Sequence, residues 1–314
     1  MSANQPVRLK LVSFNLNNLG RADNPDEQLY QAKLAYLADV LARLDGDVVA
    51  VNEVRAPESL EELAQLLGGY DFRFLGDPGA DERPIHTGLL TRLTVTGQGQ
   101  WHNYPVVLPD KPAAVQELGF QRPIPWLRLE LANHERLFVA AVHLKSRRAE
   151  SDQLPAEVGP RQREILGRAL SGTIRLSEAA GLRWLMDKVM DTGMADHYAV
   201  MGDFNAGLDS DAIELVAGLG AEPSEELVRN EARRLFPVGW WLDERRRFSY
   251  VRNGQPLLLD HILISRLLSL GLVRAGVEGQ LLEPVHSRVG QNLGQYPRSD
   301  HAPVWAEFCL RSGG

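Results

Sequence analysis

Asp203 and Asn205 stand two apart directly after the apolar run Ala199-Val200-Met201 and Gly202. A buried strand ending there presents a carboxylate and a carboxamide side by side at its C-terminal edge, which is where ligands bind in open α/β sheets. Both residue types are also common in turns, so the pair alone is a weak signal. Its weight comes from repetition at other strand ends. Asn15, Glu53, Asp203, Asn205, Asp260 and Asp300 are all oxygen donors, and oxygen donors suit a hard cation such as Mg²⁺ or Mn²⁺ better than zinc, whose sites favour His and Cys. His143 and His301 add groups that move protons near neutral pH, and Arg122 and Lys145 add cationic donors suited to phosphate. Carboxylates that hold a metal, a histidine base and an arginine clamp make the equipment for attack of water on a phosphoester.

Those residues have to be delivered by regular elements, and the hydrophobic periodicity supplies them. Leu9 to Phe14 alternates as a strand ending in Asn15 and Asn17. A helix follows, with Asn24 as N-cap, Pro25 at the first helical position and Tyr30, Leu34, Leu37, Leu41 and Leu44 on one face. Asp47 to Val51 is a continuous apolar strand ending in Asn52-Glu53, and Pro57 opens a second helix that Gly68-Gly69 closes. Strands are expected at Asp71 to Leu75, Thr87 to Thr91, Thr94 to Gly97, Trp126 to Leu131 and Leu137 to Val142, the last running into His143-Leu144-Lys145-Ser146. Between Gly99 and Pro125, prolines and mixed polarity predict loop. Pro160 to about Met190 reads as one long or two shorter helices, Asp209 to Ala217 as another, Leu257 to Ile264 as a strand through Asp260, and Val304 to Leu310 as the last strand. No linker, repeat or composition shift divides the chain, so a single domain over 1–314 is expected.

Composition sets the outer bounds. With 314 residues, 44% of them hydrophobic, the chain can bury a substantial core. One cysteine, Cys309, excludes an intrachain disulfide framework and is expected to be a core thiol. No stretch approaches the ~18 to 20 apolar residues of a membrane span, and residues 1–10 lack the apolar region of a signal peptide; a cytoplasmic protein is expected. The net charge of -7 is unevenly spread. Lys145 to Arg175 holds seven basic residues against four acidic, and Arg229 to Arg252 seven against three. In the second stretch Trp240, Trp241, Phe248 and Tyr250 interleave with Arg245, Arg246 and Arg247, as stacking on nucleic-acid bases requires. His86, His102, His134, His197 and His286 are expected on the surface or in loops, and His261 beside the site on its strand.

Seven short motifs fall in a recognisable order: Ser13-Phe14-Asn15, Val51-Asn52-Glu53, Arg122-Pro123-Ile124, His143-Leu144-Lys145-Ser146, Gly202-Asp203-Phe204-Asn205, Leu259-Asp260-His261-Ile262 and Ser299-Asp300-His301. In that order and rough spacing the chain resembles the endonuclease/exonuclease/phosphatase superfamily, the deoxyribonuclease I-like fold, over residues 9–309. The resemblance implies an α/β architecture, a four-layer sandwich of two packed mixed β-sheets flanked by helices. It implies Glu53 as principal metal carboxylate with Asn15 and Asp300 beside it, Asp203 and Asn205 as the pair that orients or deprotonates water and holds phosphate, and His301 with Asp260 as a catalytic dyad. His143 and Arg122 match a phosphate-contacting histidine and arginine. Whether Asp203 or His301 is the base stays open. The family usually has Gln where Asn52 stands, some DNA-repair members have Asp at the position of Asn17, and the tyrosine that some nucleases place near the scissile phosphate is not identifiable. The expected activity is that of a metal-dependent phosphodiesterase, first a nuclease with nucleic acid as substrate; a phosphatase or a small-molecule or lipid phosphodiesterase is the alternative, and a non-catalytic binding protein a more distant one.

Overall fold

The computed structural model describes residues 6–23, 26–79, 84–107, 114–152, 154–218, 233–282 and 298–310. Strand β1 (Val7–Leu19) alternates between two environments, with Leu9 and Leu11 in one core and Val12, Phe14 and Leu16 in another. Helix α1 (Glu27–Leu44) follows, then β2 (Val48–Val54) parallel to β1, with Asn15 opposite Asn52. Helix α2 (Pro57–Leu67) begins at Pro57 as expected and leads to β3 (Phe72–Leu75) and β4 (His86–Thr91). The second sheet opens with β5 (Thr94–Val107), β6 (Val115–Glu130) and β7 (Arg136–His143). Helix α3 (Pro160–Asp191) carries the chain to β8 (His197–Asp203), parallel to β7, with His143 opposite Asp203. After α4 (Asp211–Ala217) come β9 (Leu235–Pro237), the two-stranded β10 (Tyr250–Arg252) and β11 (Gln255–Leu257), and β12 (Asp260–Ser265), antiparallel to β8 with Asp260 opposite Asp203. A short helix, Arg266–Leu270, leads to β13 (Leu272–Val277), and the chain closes through β14 (Val304–Leu310) against β1.

Two six-stranded sheets result, in the orders β13-β14-β1-β2-β4-β3 and β5-β6-β7-β8-β12-β9. Leu9, Leu11, Val48, Ala50 and Phe308 of the first share one core with Val139, Ala141, Val200 and Leu263 of the second. On the outer face of the first sheet, Val12, Phe14, Val49 and Val51 pack under Tyr30, Leu34, Leu37 and Leu41 of α1 and Leu60 and Leu63 of α2. Ala179, Leu182 and Met186 of α3 and Ile213 and Val216 of α4 cover the second. This is the four-layer α/β arrangement expected. Each fully buried Leu or Val in these layers contributes about 1.5 to 3 kcal/mol. No helix among the described residues is long and apolar enough to cross a membrane.

Several local expectations are corrected. Residues 99–125 belong mostly to a long hairpin, with Trp101 opposite Ile124 and Val107 opposite Val115. Its prolines fit because β5 is an edge strand, and because β7 pairs only with Trp126 to Glu130, leaving Pro123 and Pro125 on a part of β6 bonded on one side. Helix α1 is capped by Asp26, whose side chain accepts from the Gln28 N–H, while Asn24 and Pro25 lie outside the described residues. Helix α3 is one helix. The strand expected over 257–264 is interrupted at Leu258-Leu259, because the Ser249 Oγ accepts the N–H of both Leu259 and Asp260 at 3.0 Å. Cys309 is only half-buried. His86 and His197 are buried strand residues rather than surface ones, and His286 lies outside the described residues.

Candidate active site

The C-terminal ends of the parallel pairs β1/β2 and β7/β8 point to the same edge of the sandwich, and the antiparallel β12 and β14 begin there. Asn15, Glu53, His143, Asp203, Asp260 and His301 therefore converge although up to 286 positions separate them in sequence. Alternation alone puts Glu53 on the helix side of its sheet, with Val49 and Val51. A register shift between Asn52 and Val54 against β4, with Glu53 at φ 60°, turns it to the site instead. The backbone of Asn205 is likewise left-handed, φ 50°, and its N–H bonds the Asp203 Oδ1 at 2.8 Å. Non-glycine residues in this region cost of order 1 kcal/mol or more and cluster where geometry matters to function.

Asp203 is the centre of the arrangement. Its Oδ2 accepts from the Asn15 Nδ2 at 3.1 Å, and the same amide group donates to the Glu53 Oε1 at 3.0 Å. The Nε2 atoms of His143 and His301 stand 3.7 and 4.0 Å from that oxygen. Behind His301, its Nδ1 meets the Asp260 Oδ2 at 2.7 Å. Burial, and then the charge of Asp260, push the Asp203 carboxyl up to about 7. Burial works against the His301 proton, but Asp260, Asp203 and Asp300 overcome it and hold the imidazolium well above its ordinary value. Burial, then Arg122, His301 and Lys145, push His143 well below. Two histidines on one carboxylate are thus set to opposite charge states.

Glu53, His143 and Asp203 each bring one ligand atom within 4.8 Å of the others, as do Asp203, Asp260 and His301. Asp300, half-buried, is pushed up first by burial, with Glu53 adding to the shift. Carboxylates crowded so closely fit a hard divalent cation, while the Asn15 amide turns its nitrogen to them and its Oδ1 to the Asn17 N–H at 2.9 Å. The cleft above has a volume of about 1000 Å³. Glu53, Arg122, His143, Lys145, Asp203, Asn205, Asp300 and His301 all line it. From the aromatic and basic stretch, Tyr250 and Arg252 reach its wall, whereas Trp240, Trp241 and Arg245 to Arg247 are not among its lining.

A sequence profile of the Endonuclease/Exonuclease/phosphatase family matches residues 12–301. The chain belongs to this family. Among solved structures it resembles an endonuclease/exonuclease/phosphatase family protein from Bacteroides thetaiotaomicron, at 17% identity over 99% of this chain and 98% of that one, TM-score 0.58. It also resembles a truncated TDP2 from Caenorhabditis elegans, at 16% identity over 96% and 98%, TM-score 0.58, and a humanized TDP2 from D. rerio, at 17% over 96% and 98%, TM-score 0.56. At these identities the likeness is one of fold. No curated protein matches the chain. Members of the family are generally phosphoester hydrolases that typically use a divalent metal, and the carboxylate and histidine groups of this chain are close enough together to hold one.

Several further residues support the site without having been given a role in it by the sequence. Tyr250 packs tilted against His301, ring centroids 4.8 Å apart at 39°, and pairs with it by a backbone bridge. Ser249 holds Asp260 through its hydroxyl and Ala302 through its carbonyl, 2.7 Å. The Ser299 Oγ donates to the Asn15 carbonyl, 2.6 Å, tying the His301 segment to β1. Glu178 of α3, almost fully buried, accepts the Gln121 and Lys145 N–H groups at 2.8 and 2.7 Å and so fixes the neighbours of Arg122 and His143. Lys33 of α1, fully buried, donates to the Asn17 carbonyl beneath Asn18, whose N–H bonds the Glu53 Oε2 at 3.1 Å. In the sequence Lys33 and Glu178 read as ordinary polar helix residues; only the packing shows that they are buried and where they lead.

Proposed function

We propose that this chain is a Mg²⁺- or Mn²⁺-dependent phosphodiesterase of the cytoplasm that hydrolyses nucleic acid. The observation that carries the reading is the Asp203 oxygen held between Asn15, His143 and His301, with Glu53 on the far side of the Asn15 amide. Glu53, Asn15 and Asp300 would hold the cation. When bound, it supplies Lewis-acid polarisation of the phosphoryl oxygen and stabilises the leaving group. Asp203, with its carboxyl near 7, takes the proton of the attacking water, while Asn205 orients that water. His301 keeps its proton and, fixed by Asp260, stabilises charge on the phosphoryl oxygens. His143, kept neutral, and Arg122 and Lys145, cationic, grip the non-bridging oxygens.

The nucleic-acid reading is supported by the presence of Arg122, Lys145, Arg252 and the aromatic Tyr250 among the residues that line the cleft, beside its acidic groups. Turnover should be measured with Mg²⁺ or Mn²⁺ on DNA, RNA, phosphomonoesters and phospholipids. Hydrolysis confined to phosphomonoesters or lipids would replace the nuclease reading with a phosphatase or lipid phosphodiesterase. Glu53→Gln, isosteric but neutral, should stay folded and lose most turnover. Full activity of that variant in chelator-treated buffer would falsify the metal role.

A further inference from the structure

Helix α3 is 32 residues long, about 48 Å at 1.5 Å per residue, and much of its first half does not face the core. Ala179, Leu182 and Met186 pack on the sheet, whereas Ile165 and Leu166 are 67% and 46% exposed. The buried residues of the first half, Gly167 and Ser171, face instead Arg148 to Ser151 of the segment that leaves β7. A Cβ at Gly167 would meet the Ala149 Cβ at 3.0 Å and the Glu150 nitrogen at 3.1 Å, so the helix and the arm are in close approach there. The Gly167 carbonyl accepts the Glu150 N–H at 3.0 Å, and the Ser171 hydroxyl donates to the Arg148 carbonyl. The Arg163 guanidinium reaches the Ser151 and Leu154 carbonyls at 2.7 and 3.1 Å, and the Arg175 guanidinium reaches the Lys145 carbonyl at 3.0 Å. One helix thus braces a rigid arm beside the cleft.

Arg147 and Arg148 sit at the middle of that arm. Both are exposed, both line the cleft, and neither makes a side-chain hydrogen bond or ion pair with a described residue. Their neighbours are compensated: Lys145 is bound to Glu150, and Arg168 to Glu164 at 2.7 Å. Asp152 offsets one of the two charges at most. Arg147 also faces a like charge, since Arg175 is held below the usual guanidinium range by burial first and by Arg147 second. Two guanidinium groups carried side by side on a braced backbone at the cleft, with no carboxylate among the described residues taken as partner, are available to an anion.

We propose that Arg147 and Arg148 form a second anion site, which takes a phosphate neighbouring the one being cleaved on an extended nucleic-acid strand. This rests on the nuclease reading for the identity of the strand, and on the arm for the site itself. Because both side chains are exposed, Arg147→Ala/Arg148→Ala should leave the melting temperature and far-ultraviolet circular dichroism unchanged. On a single-stranded oligonucleotide its KM should rise at least about tenfold, and the slope of log affinity against log salt should shrink by about 0.7 for each phosphate that the variant no longer neutralises. Turnover of bis(4-nitrophenyl) phosphate, which has one phosphate, should not change. Equal loss on both substrates, or an unaltered KM and salt slope on the oligonucleotide, overturns the site.

A second measurement separates this failure from failure of the nuclease reading. With bis(4-nitrophenyl) phosphate as substrate, a nucleoside 3′,5′-bisphosphate should inhibit the wild type more strongly than the 5′-monophosphate, and the double variant should lose that preference. Loss of the preference supports the anion site even if nucleic acid is not the natural substrate. A preference that survives, or is absent from the wild type, overturns it even if nucleic acid is cleaved.

Discussion

His301 and Asp203 face one another across 4.0 Å and hold their protons for opposite reasons. The imidazolium is kept by Asp260 at 2.7 Å, against the cost of burial. The Asp203 carboxyl is raised by that same burial and by the charge of Asp260. If Asp260 fixes the His301 tautomer and its charge, His301→Ala and Asp260→Asn should each be severe and their losses should not add. Strictly additive losses in the double-mutant cycle would show that the two residues do not cooperate. The same surroundings fix the pH dependence. If Asp203 is the base, as proposed, it acts only when deprotonated, and kcat/KM should rise as pH climbs through about 7. It should fall again on the alkaline side, where His301 loses its proton, and the two limbs belong to the coupled group rather than to either residue alone. A pH profile of His301→Ala that keeps the alkaline limb would assign that limb elsewhere. At this scale the residue types were readable from the sequence, because strand ends carrying Asn, Asp, Glu and His recur in order. Tyr250 and Glu178 were not: one looked like part of an exposed aromatic and basic run, and the other like an ordinary helix acid. Their meaning depends on what lies across from them.

Among the elements, the close pairing of β7 and β8 has the strictest requirement. Gly202 stands at φ 147°, and a Cβ there would lie 1.9 Å from the Val142 carbonyl oxygen. Gly202→Ala must separate the two strands or strain the backbone, and should cost about 3 kcal/mol or more. Urea denaturation measures it; a loss under about 1 kcal/mol would mean that the strands part easily. Lys33 makes a second demand, on α1. Burial first, opposed by Asp300, Glu53 and Asp23, lowers its amine from 10.5 to about 8. The unfolded chain therefore binds this proton at pH values where the folded one has released it, and folding becomes more favourable as pH rises from about 8 towards 10.5. Between pH 7 and 10, metal-free wild type should gain about 2 kcal/mol relative to Lys33→Met. Parallel stability curves for the two proteins would exclude a depressed amine. Strand and helix positions were legible where one face is apolar, as in β1, β2 and α1. The hairpin of β5 and β6 was not, because an edge strand and a half-paired strand tolerate prolines that elsewhere signal a loop.

Across the whole molecule, each sheet supplies part of the site. Asn15 and Glu53 come from one sheet, His143, Asp203 and Asp260 from the other, and Asp300 and His301 from the turn that enters β14. Divalent cation bound among Glu53, Asn15 and Asp300 should stabilise the folded state by mass action. Mg²⁺ or Mn²⁺ should raise the melting temperature of wild type, and raise that of Glu53→Gln far less; equal shifts in calorimetry would move the cation to another place. The two-sheet architecture could be expected from the ordered motifs, but the packing of one sheet on the other could not, since no local pattern shows which face meets which.

That junction is made at the site by Asn52, the position where an asparagine replaces the family's usual glutamine. Its Nδ2 donates to the Val142 carbonyl at 2.8 Å, and its Oδ1 accepts the Asp203 N–H at 3.0 Å, so one short amide stitches β2 to both β7 and β8. Turnover is consequently a gauge of how the two halves are seated on each other. A chain cut in the turn at Arg92-Leu93 leaves Asn15, Asn52 and Glu53 on one fragment and His143, Asp203, Asp260 and His301 on the other. Each fragment alone should be silent. Co-expressed, they should regain the proposed hydrolysis only as they reassociate, which would make that hydrolysis a catalytic reporter of the chain's own assembly.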